Sequence, residues 1–307
     1  QDTGYAVIQT AIDSSINGDT IIVSAGTFVE NIDFNGKNIV LASEFLLNND
    51  TSYISSTIID GNQNGTVIIM DGDNNQIIKG FSIINGNASG GNNFPPPLGG
   101  GGIRILGSPI LSNLIIRDNT AIGLSNDGGG IFIEHNSSPI ISSIVLYNNT
   151  ANEGAAILCA QSTPLINNIL VYNNSSNWGG DLGFVYLSDA IITNSTIIEN
   201  NINNHPIINL SNSNLNIKNS IVRGDGQIFN FDCNVYGCNL YCTFSNIKGG
   251  YAGTGNIDMD PLFVDTANGD YSLSNFSPSI GAGLDTSIVP TTDILGNPRP
   301  NPAGSTP

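Results

Sequence analysis

Residues 138–151 read SPIISSIVLYNNTA, and the chain repeats this pattern three more times. Each copy holds a run in which apolar and polar residues alternate, followed by a turn that is rich in Asn. Successive copies begin 30, 25 and 26 residues apart, which indicates a repeat protein. The other copies are SPILSNLIIRDNTA (108–121), TPLINNILVYNNSS (163–176) and DAIITNSTIIENNI (189–202).

A second, shorter motif precedes each copy. It joins small residues to an apolar run that ends at Ile105, Ile133, Cys159 and, in a weaker form, Tyr186. Alternation over such short runs predicts short β-strands. Strands of this length cannot bury an apolar face alone, but they do so when successive turns stack as a parallel coil. The four forms are GGGIRI, GGGIFI, GAAILC and DLGFVY.

The polar residues of the repeat fit the same coil. Asn at one point of successive turns can form a ladder of side-chain hydrogen bonds, and Gly and Asn tolerate the left-handed backbone of tight corners. A leucine-rich horseshoe is the main alternative, but it requires fixed Leu positions and a helix in each repeat, which the sequence lacks. We therefore expect an all-β parallel solenoid of roughly nine to eleven rungs.

The N-terminal region carries a family resemblance. Residues 5–43, YAVIQTAIDSSINGDTIIVSAGTFVENIDFNGKNIVLAS, resemble the entry segment of right-handed parallel β-helix proteins of the pectin-lyase-like superfamily. The resemblance implies an amphipathic helix over about residues 5–16 that caps the open end of the coil. The superfamily includes lyases, hydrolases, epimerases and non-catalytic surface proteins, so the resemblance specifies the fold and leaves the activity open. The apolar side of the helix would consist of Ile8, Ala11, Ile12 and Ile16.

The C-terminal region resembles the closing segment of bacterial secreted β-helix proteins of the choice-of-anchor type. The resemblance rests on residues 260–287 and 292–307. We expect the coil and its cap helix to span residues 1–257, and a closing segment packed on the last rungs to span 258–307. In that group a sorting region usually follows, so the chain is expected to be truncated or processed at Pro307. The resemblance implies a location outside the cell or on the bacterial cell surface.

The charge balance excludes two classes of partner. The 307 residues include 25 acidic and 8 basic side chains, for a formal net charge of −17, and only 11% of them are charged. A nucleic-acid-binding protein needs a basic surface that neutralises phosphates, and an anionic membrane surface attracts basic segments. No apolar run in the sequence reaches the roughly 18 residues that a membrane-spanning helix needs.

The four cysteines favour a disulfide over a metal site. Cys233, Cys238 and Cys242 lie close together, and Cys159 stands alone in an apolar segment. Three Cys without a nearby His make a poor zinc site. We expect one local disulfide among the three, with the pairing open, and a buried thiol at Cys159.

The short motif predicts how successive turns align, and this alignment brings three acidic residues close together. We take as equivalent inward positions Ile103, Ile131, Ile157 and Phe184. Neighbouring rungs lie about 4.8 Å apart, so residues in the turn before successive strands are expected about 5 to 10 Å from each other. The acidic residues that this register brings together are Asp127, Glu153 and Asp181.

The same turn contains aromatic residues that can form the walls of a groove. Trp178, the only Trp, lies in it, and the matching turn of the preceding rung is a long insertion, residues 86–102, that contains Phe94. Two or three carboxylates in such a groove can divide acid and base roles in glycoside cleavage, or bind Ca²⁺ through oxygen ligands. The alternative is that they are solvated acids in Gly-rich turns beside a Trp that fills a corner.

Two further columns of the repeat are candidates for contacts. Exposed Tyr rings in register can stack on sugars with Arg at the edge, or stack on each other and stabilise the coil. Lyases of the pectin-lyase-like superfamily commonly use Lys or Arg as the base, but no motif of the known lyase families surrounds Arg104 or Arg117, so Arg104 is included only as a substrate-binding candidate. The first column holds Arg117, Tyr147, Tyr172, Ile198 and Arg223; the second holds Arg104, Phe132, Leu158 and Val185. The second column should point outward, and its three apolar residues would require cover by a loop or a partner surface.

The sequence leads to two candidate functions. The first is a secreted or cell-surface β-helix that binds an extracellular polysaccharide, with or without calcium, through Trp178, Phe94 and the Tyr column. If it is an enzyme, we expect a polysaccharide lyase or glycoside hydrolase that uses Asp127, Glu153 or Asp181. The second is a structural or adhesive module that makes protein or self-contacts through Phe132, Leu158 and Val185.

Overall fold

The computed structural model describes residues 4–72, 75–88, 99–123, 128–134, 136–199, 205–284, 290–294 and 296–299. Within these ranges the chain winds into a coil of short parallel strands that lie on three faces. Nine strands follow one another along the first face. The structure confirms the all-β parallel coil that the repeats predict.

The first two faces belong to one sheet, because three long strands bend across both of them: β10 (Ile110–Arg117), β13 (Ile140–Tyr147) and β16 (Leu165–Tyr172). The first face contains β1 (Thr20–Val23), β4 (Val40–Ser43), β7 (Ile77–Lys79), the first part of β10 (Ile110–Arg117), β13 (Ile140–Tyr147) and β16 (Leu165–Tyr172), then β19 (Asp189–Thr193), β22 (Asn214–Lys218) and β25 (Asn239–Thr243). The second contains β2 (Gly26–Val29), β5 (Thr57–Asp60), β8 (Ser82–Ile84), the second part of the three long strands, β20 (Thr196–Ile198), β23 (Ile221–Arg223) and β26 (Asn246–Ile247).

The third face is a separate sheet of eight parallel strands: β3 (Ile32–Asp33), β6 (Ile68–Met70), β9 (Ile103–Ile105), β12 (Ile131–Ile133), β15 (Ile157–Ala160), β18 (Leu182–Val185), β21 (Ile208–Ser211) and β24 (Phe229–Asp232). Shorter elements complete the fold: the small parallel sheet of β11 (Thr120–Ala121), β14 (Thr150–Ala151) and β17 (Ser175–Ser176), the antiparallel pair β27 (Phe263–Asp265) and β28 (Asp270–Leu273), the helices α1 (Ile8–Ser14), α2 (Phe45–Asn48) and α3 (Ser52–Ser56), and a 3₁₀ turn at Thr266–Asn268.

The strand register agrees with the long repeat and differs from the short one. Along the first face Ile140 pairs with both Ile110 and Leu165, as the alignment of the copies requires. On the third face Leu182 pairs with Ile157, so the expected equivalence of Phe184 with Ile157 is wrong by two residues. Leu182 and Phe184 are both fully buried, and an apolar pattern therefore cannot distinguish the two registers.

Aliphatic columns and an amide ladder hold the rungs together. Asn119, Asn149 and Asn174 are almost fully buried and lie on successive rungs. The Nδ2 of Asn119 donates to Oδ1 of Asn149 at 3.0 Å, and the Nδ2 of Asn149 donates to Oδ1 of Asn174 at 3.0 Å. The expected Asn ladder is thereby confirmed.

Helix α1 covers the N-terminal end of the coil. It spans Ile8–Ser14 and is therefore shorter than the expected 5–16. Ile8, Ala11 and Ile12 are buried as expected, but Ile16 is 71% exposed. The prediction for Ile16 is wrong because the chain has already left the helix at Ser15, which has an extended backbone.

Two charged side chains from the first rungs complete the ends of α1. Both carboxylate oxygens of Glu30 accept hydrogen bonds from backbone amides of the first turn, at 3.0 Å each. The ammonium of Lys37 donates to three carbonyl oxygens at the other end. These contacts satisfy groups that a helix leaves without intrahelical partners, and each charge has the sign that the helix dipole favours at its end.

The C-terminal part of the chain runs back along the coil. The ring of Tyr271 packs on that of Tyr172, and Arg299 donates to Oδ1 of Asn168 at 3.1 Å. The backbone amide of Leu284 donates to Asn219, whose side-chain amide donates to the carbonyl of Leu284, at 2.9 Å each. The division of the chain into residues 1–257 and 258–307 stays a prediction.

The cysteines follow the expected pattern. Cys233 and Cys238 form a disulfide, and Cys159 and Cys242 are free and buried. Burial raises the pKa of each free thiol to about 12, so neither is reactive at neutral pH. In the part of the chain that the structure describes, no helix combines the length and the apolar character needed to cross a membrane.

Candidate functional site

Trp178 lies in the turn that leads into β18, and its ring faces solvent. The side chain is 61% exposed, so it does not fill a corner of the coil. Its backbone amide donates to the carbonyl of Asn152 in the preceding rung at 3.1 Å, which fixes the position of the turn. A large aromatic ring held in solvent by an ordered backbone is a candidate contact surface.

Glu153 extends from the same region across the outer side of β18. A Cβ atom added to Gly179 would lie 2.1 Å from the Cγ of Glu153, and one added to Gly183 would lie 3.3 Å from it. The two glycines therefore leave the space that the Glu153 side chain occupies. Because Gly179 directly follows Trp178, the Glu153 side chain lies against the backbone of the turn that carries the exposed indole.

Two amides continue the polar line from Glu153. Gly183, Asn209 and Asn230 are paired positions of β18, β21 and β24. The Nδ2 of Asn209 donates to Oε1 of Glu153 at 2.7 Å, and the Nδ2 of Asn230 donates to Oδ1 of Asn209 at 2.8 Å. A carboxylate and two amides thus form a hydrogen-bonded line across neighbouring rungs of the third face.

The other end of β18 carries two exposed residues with strained backbones. Tyr186 and Leu187 have φ angles of 55° and 69°, a region that costs a residue with a Cβ atom about 1–2 kcal/mol. Their exposed fractions are 69% and 55%, so burial of these side chains does not offset the strain. Corners on other rungs have the same backbone conformation, at Asn136, Gln161 and Asn212, so the exposure of the two side chains, and not the strain, makes them candidates for contacts. We call the residues Glu153, Trp178, Tyr186, Asn209 and Asn230 the Trp178 surface.

Asp181 does not belong to the Trp178 surface, because it points into the coil. It immediately precedes Leu182, and the same position on neighbouring rungs is held by the core residues Ala156 and Ile207. Asp181 is 3% exposed, and its Oδ2 atom has no hydrogen-bond partner. Burial, and then the charge of Glu199, raise the pKa of Asp181 well above its usual range. The expectation that Asp181 faces an open groove is wrong, and the register difference at β18 explains why.

Of the three expected carboxylates, only Glu153 is placed on the Trp178 surface. Asp127 and Phe94 lie outside the described residues. Across the described ranges no group of three His, Cys, Asp or Glu side chains could hold a metal ion. The catalytic and calcium-binding roles assigned to Asp127, Glu153 and Asp181 stay predictions.

The architecture is similar to that of known pectin methylesterases. One in complex with a hexasaccharide has a TM-score of 0.52 at 10% identity, over 89% of this chain and 95% of that chain. The carrot enzyme has a TM-score of 0.55 at 12% identity (83% and 82%), and the Aspergillus niger enzyme 0.54 at 13% (96% and 92%). The fold is a right-handed parallel β-helix, as in these enzymes. At these identities the likeness concerns the fold alone.

The sequence comparisons add no closer relationship for this β-helix. The chain matches no protein-family model, and it matches no curated protein sequence. The resemblance of its C-terminal region to choice-of-anchor proteins therefore stays a prediction.

The Tyr column of the β-helix is stacked and partly covered. Tyr147 and Tyr172 stack with ring centroids 5.0 Å apart and planes 10° apart, and Tyr271 adds a third ring at 5.1 Å from Tyr172. Burial raises the pKa of Tyr172 to about 12. The rings therefore contact each other and the C-terminal segment, as the stabilising interpretation predicts, while Arg117 pairs with Asp118. A role of this column in substrate binding stays a prediction.

The apolar residues of the other column are buried within the β-helix. Phe132, Leu158 and Val185 are 8%, 2% and 4% exposed and form one cluster. Val185 pairs with Ala160 and not with Leu158. The chain itself covers these side chains, as the first of the two expected kinds of cover predicts, so they do not form an exposed surface for a partner or a second copy. Arg104, from the same column, donates from Nε to Oε1 of the buried Glu134 at 2.6 Å.

Sequence reasoning missed Asn209, Asn230 and Tyr186 as members of the site. The isolated Gly183 within DLGFVY was an available signal, because a glycine inside a strand often marks the close approach of another group. The two amides follow from the strand register once Gly183 is paired correctly. Nothing in the local sequence marks Tyr186, since its exposure depends on the path of the turn.

Proposed function

We propose that this β-helix binds an extracellular polysaccharide on the Trp178 surface. The observation that carries the proposal is an exposed Trp ring beside a hydrogen-bonded line of one carboxylate and two amides. A sugar ring offers an apolar face to an aromatic ring and a rim of hydroxyl groups to polar side chains, so it matches both parts of the surface.

Three further observations support the proposal. The strands of the third face repeat at about 4.8 Å, so the partly exposed Glu153 and Asn230 can contact separate parts of one extended chain, while the buried Asn209 links the two. The similar folds include pectin methylesterases, one of them in complex with a hexasaccharide. The Cys233–Cys238 disulfide supports an oxidising, extracellular location.

Retardation in native gels that contain dissolved polysaccharides tests the binding. The wild type should be retarded by at least one polysaccharide, and Trp178→Ala should lose about tenfold or more in affinity. Tyr241→Ala is the matched control, because Tyr241 is also 61% exposed but lies on the first face in β25. If no polysaccharide retards the wild type, or if both variants bind like it, the proposal is wrong.

A more specific form of this proposal is that calcium takes part in polysaccharide binding. Glu153 is a carboxylate on the Trp178 surface, and the hydroxyl and carboxylate oxygens of a polysaccharide would add further ligands to a calcium ion held there. Calcium that contributes should raise the affinity for polysaccharide, and Glu153→Gln should remove that gain. Equal affinity with calcium and with a chelator would confine the proposal to calcium-independent binding.

A further inference from the structure

We infer that the Trp178 surface selects neutral polysaccharides and rejects polyuronates, an inference that rests on the proposed function. The central polar group of the surface is the carboxylate of Glu153, which can only accept hydrogen bonds. A uronate carboxylate is also an acceptor with a negative charge, so the two groups cannot bond and they repel each other. A sugar hydroxyl can donate to Glu153 and accept from an amide at the same time.

The amide line reinforces this preference. The side chain of Asn230 donates to Asn209, and that of Asn209 donates to Glu153. One N–H group of each amide is thus directed toward the carboxylate, and the two dipoles stabilise its negative charge. At Glu153 a ligand therefore meets an acceptor, to which only a donor group can bond.

The lysines and arginines of the protein are engaged elsewhere. All eight lie within the described residues, and four of them form ion pairs with acids of the same chain. Only Arg104 lies on the third face, in β9, which is three strands from β18, and its partner Glu134 is buried. The four pairs are Arg104–Glu134, Arg117–Asp118, Arg223–Asp258 and Lys248–Asp225.

The other four basic residues also lie away from the Trp178 surface. Lys37 completes the end of α1, and the ammonium of Lys79 lies 5.1 Å from the centre of the Phe45 ring. Arg299 binds Asn168, and Lys218 belongs to β22 on the first face. With a net charge of −17, the field of the whole molecule also repels polyanions.

The test compares polysaccharides that differ only at the carboxyl group, which reduction converts to a neutral hydroxymethyl group. The probes are polygalacturonate, alginate and glucuronoxylan at pH 7, each beside the same polymer after reduction of its carboxyl groups. We expect at least one neutral form to bind about tenfold or more tightly than its anionic parent. We also expect the affinity for the anionic parent to rise with salt between about 0.02 M and 0.3 M, because salt screens the repulsion.

A variant of Glu153 tests whether this residue causes the preference for neutral polysaccharides. Glu153→Gln keeps an oxygen that can accept from Asn209 and removes the charge, so its affinity for the neutral form should fall and that for the anionic form should rise. The preference for the neutral form should therefore shrink by about tenfold. Glu44→Gln is the matched control, because it removes the same charge from the N-terminal region, where Glu44 accepts from Ser24; its preference should match that of the wild type.

The outcomes separate this inference from the proposed function. If a polyuronate binds as tightly as its reduced form, and Trp178→Ala weakens that binding, the proposed function stands and the neutral preference is refuted. If the preference exists but Glu153→Gln leaves it unchanged, the assignment to Glu153 is refuted. If no probe binds in either form, the proposed function fails and the inference fails with it.

Discussion

Asp181 places an ionisable group inside the coil where neighbouring rungs carry Ala156 and Ile207. The pKa of this carboxyl in the folded protein lies well above its usual range, mainly through burial. The folded state therefore binds the Asp181 proton more tightly than the unfolded state does. The free energy of unfolding should fall as the pH rises from about 4 through the folded-state pKa.

Asp181→Ala should remove most of this pH dependence and stabilise the protein. Ala is the residue found on the preceding rung, and the variant eliminates a buried oxygen atom without a partner, a change worth about 1–3 kcal/mol at pH 7. Urea denaturation from pH 4 to 8 measures both effects. Asp189→Asn, at an exposed position in β19, should leave the curve close to that of the wild type. A wild-type slope in Asp181→Ala would contradict the prediction.

Leu187 is a second residue whose side chain is poorly suited to its surroundings, in this case to its own backbone conformation. Its φ is 69°, and the equivalent corners on other rungs have Asn136, Gln161 and Asn212 at 59°, 53° and 50°. Asn adopts this region more readily than Leu does. Leu187→Asn should therefore raise the free energy of unfolding by about 0.5–1 kcal/mol.

Thermal melting checks the Leu187 prediction. Leu165→Asn is the control, because Leu165 is 47% exposed but lies in the regular strand β16, and it should give no increase. An unchanged or lower melting temperature for Leu187→Asn would mean that the side chain of Leu187 contributes a contact that outweighs the backbone strain.

At the scale of the element, the Asn ladder connects the rungs where β10, β13 and β16 end. Asn149 accepts from Asn119 and donates both to Asn174 and to the carbonyl of Ile116. Asn149→Ala would leave several buried polar groups without partners, at a cost of about 3 kcal/mol or more. Urea denaturation should show this loss, whereas Asn216→Ala, at an exposed position of β22, should change stability by less than about 0.5 kcal/mol.

A double variant distinguishes a ladder from independent contacts. If Asn149 and Asn174 act as one network, the combined Ala substitutions should cost less than the sum of the single ones, because each single change already breaks their shared bond. Strict additivity would show that each Asn acts only on its own rung.

The elements were more predictable from the sequence than the site was. Apolar alternation defines strands such as Ile140–Tyr147, since every second residue must face the core. The same signal fails at Leu182 and Phe184, because both point inward and a shift by two residues preserves the pattern. Because of this two-residue error in the predicted register, Asp181 was expected on the surface of a groove, although it lies in the core. The contact between Glu153 and Asn209 requires the Glu153 side chain to cross over Gly183. The hydrophobic periodicity of the sequence gives no information about such a contact.

For the whole molecule, the main unpredicted contact joins the C-terminal segment to the middle of the coil. Tyr271 is 7% exposed and packs between the rings of Tyr172 and Phe263. Tyr172 comes about a hundred residues earlier in the chain, so no local pattern connects the two. This contact makes it possible to test whether the residues beyond 257 pack on the coil as a closing segment.

Tyr271→Ala should change the titration of Tyr172 and loosen the closing segment. Burial holds the pKa of Tyr172 near 12; exposing the ring should return it toward about 10, and the ultraviolet absorbance of the phenolate records the change. A raised tyrosine pKa contributes stability that is lost as the pH rises above about 10, so this alkaline loss should be smaller in the variant. Removing the buried ring should also cost about 3 kcal/mol or more at neutral pH.

Phe276→Ala is the control within the same segment, because Phe276 is 88% exposed and its removal should alter neither the titration nor the stability. If Tyr271→Ala titrates and unfolds like the wild type, the segment does not close the coil in solution. If it lowers the pKa of Tyr172 while Phe276→Ala does not, the segment after residue 257 is part of the folded unit. The late residues then stabilise rungs that were formed much earlier in the chain.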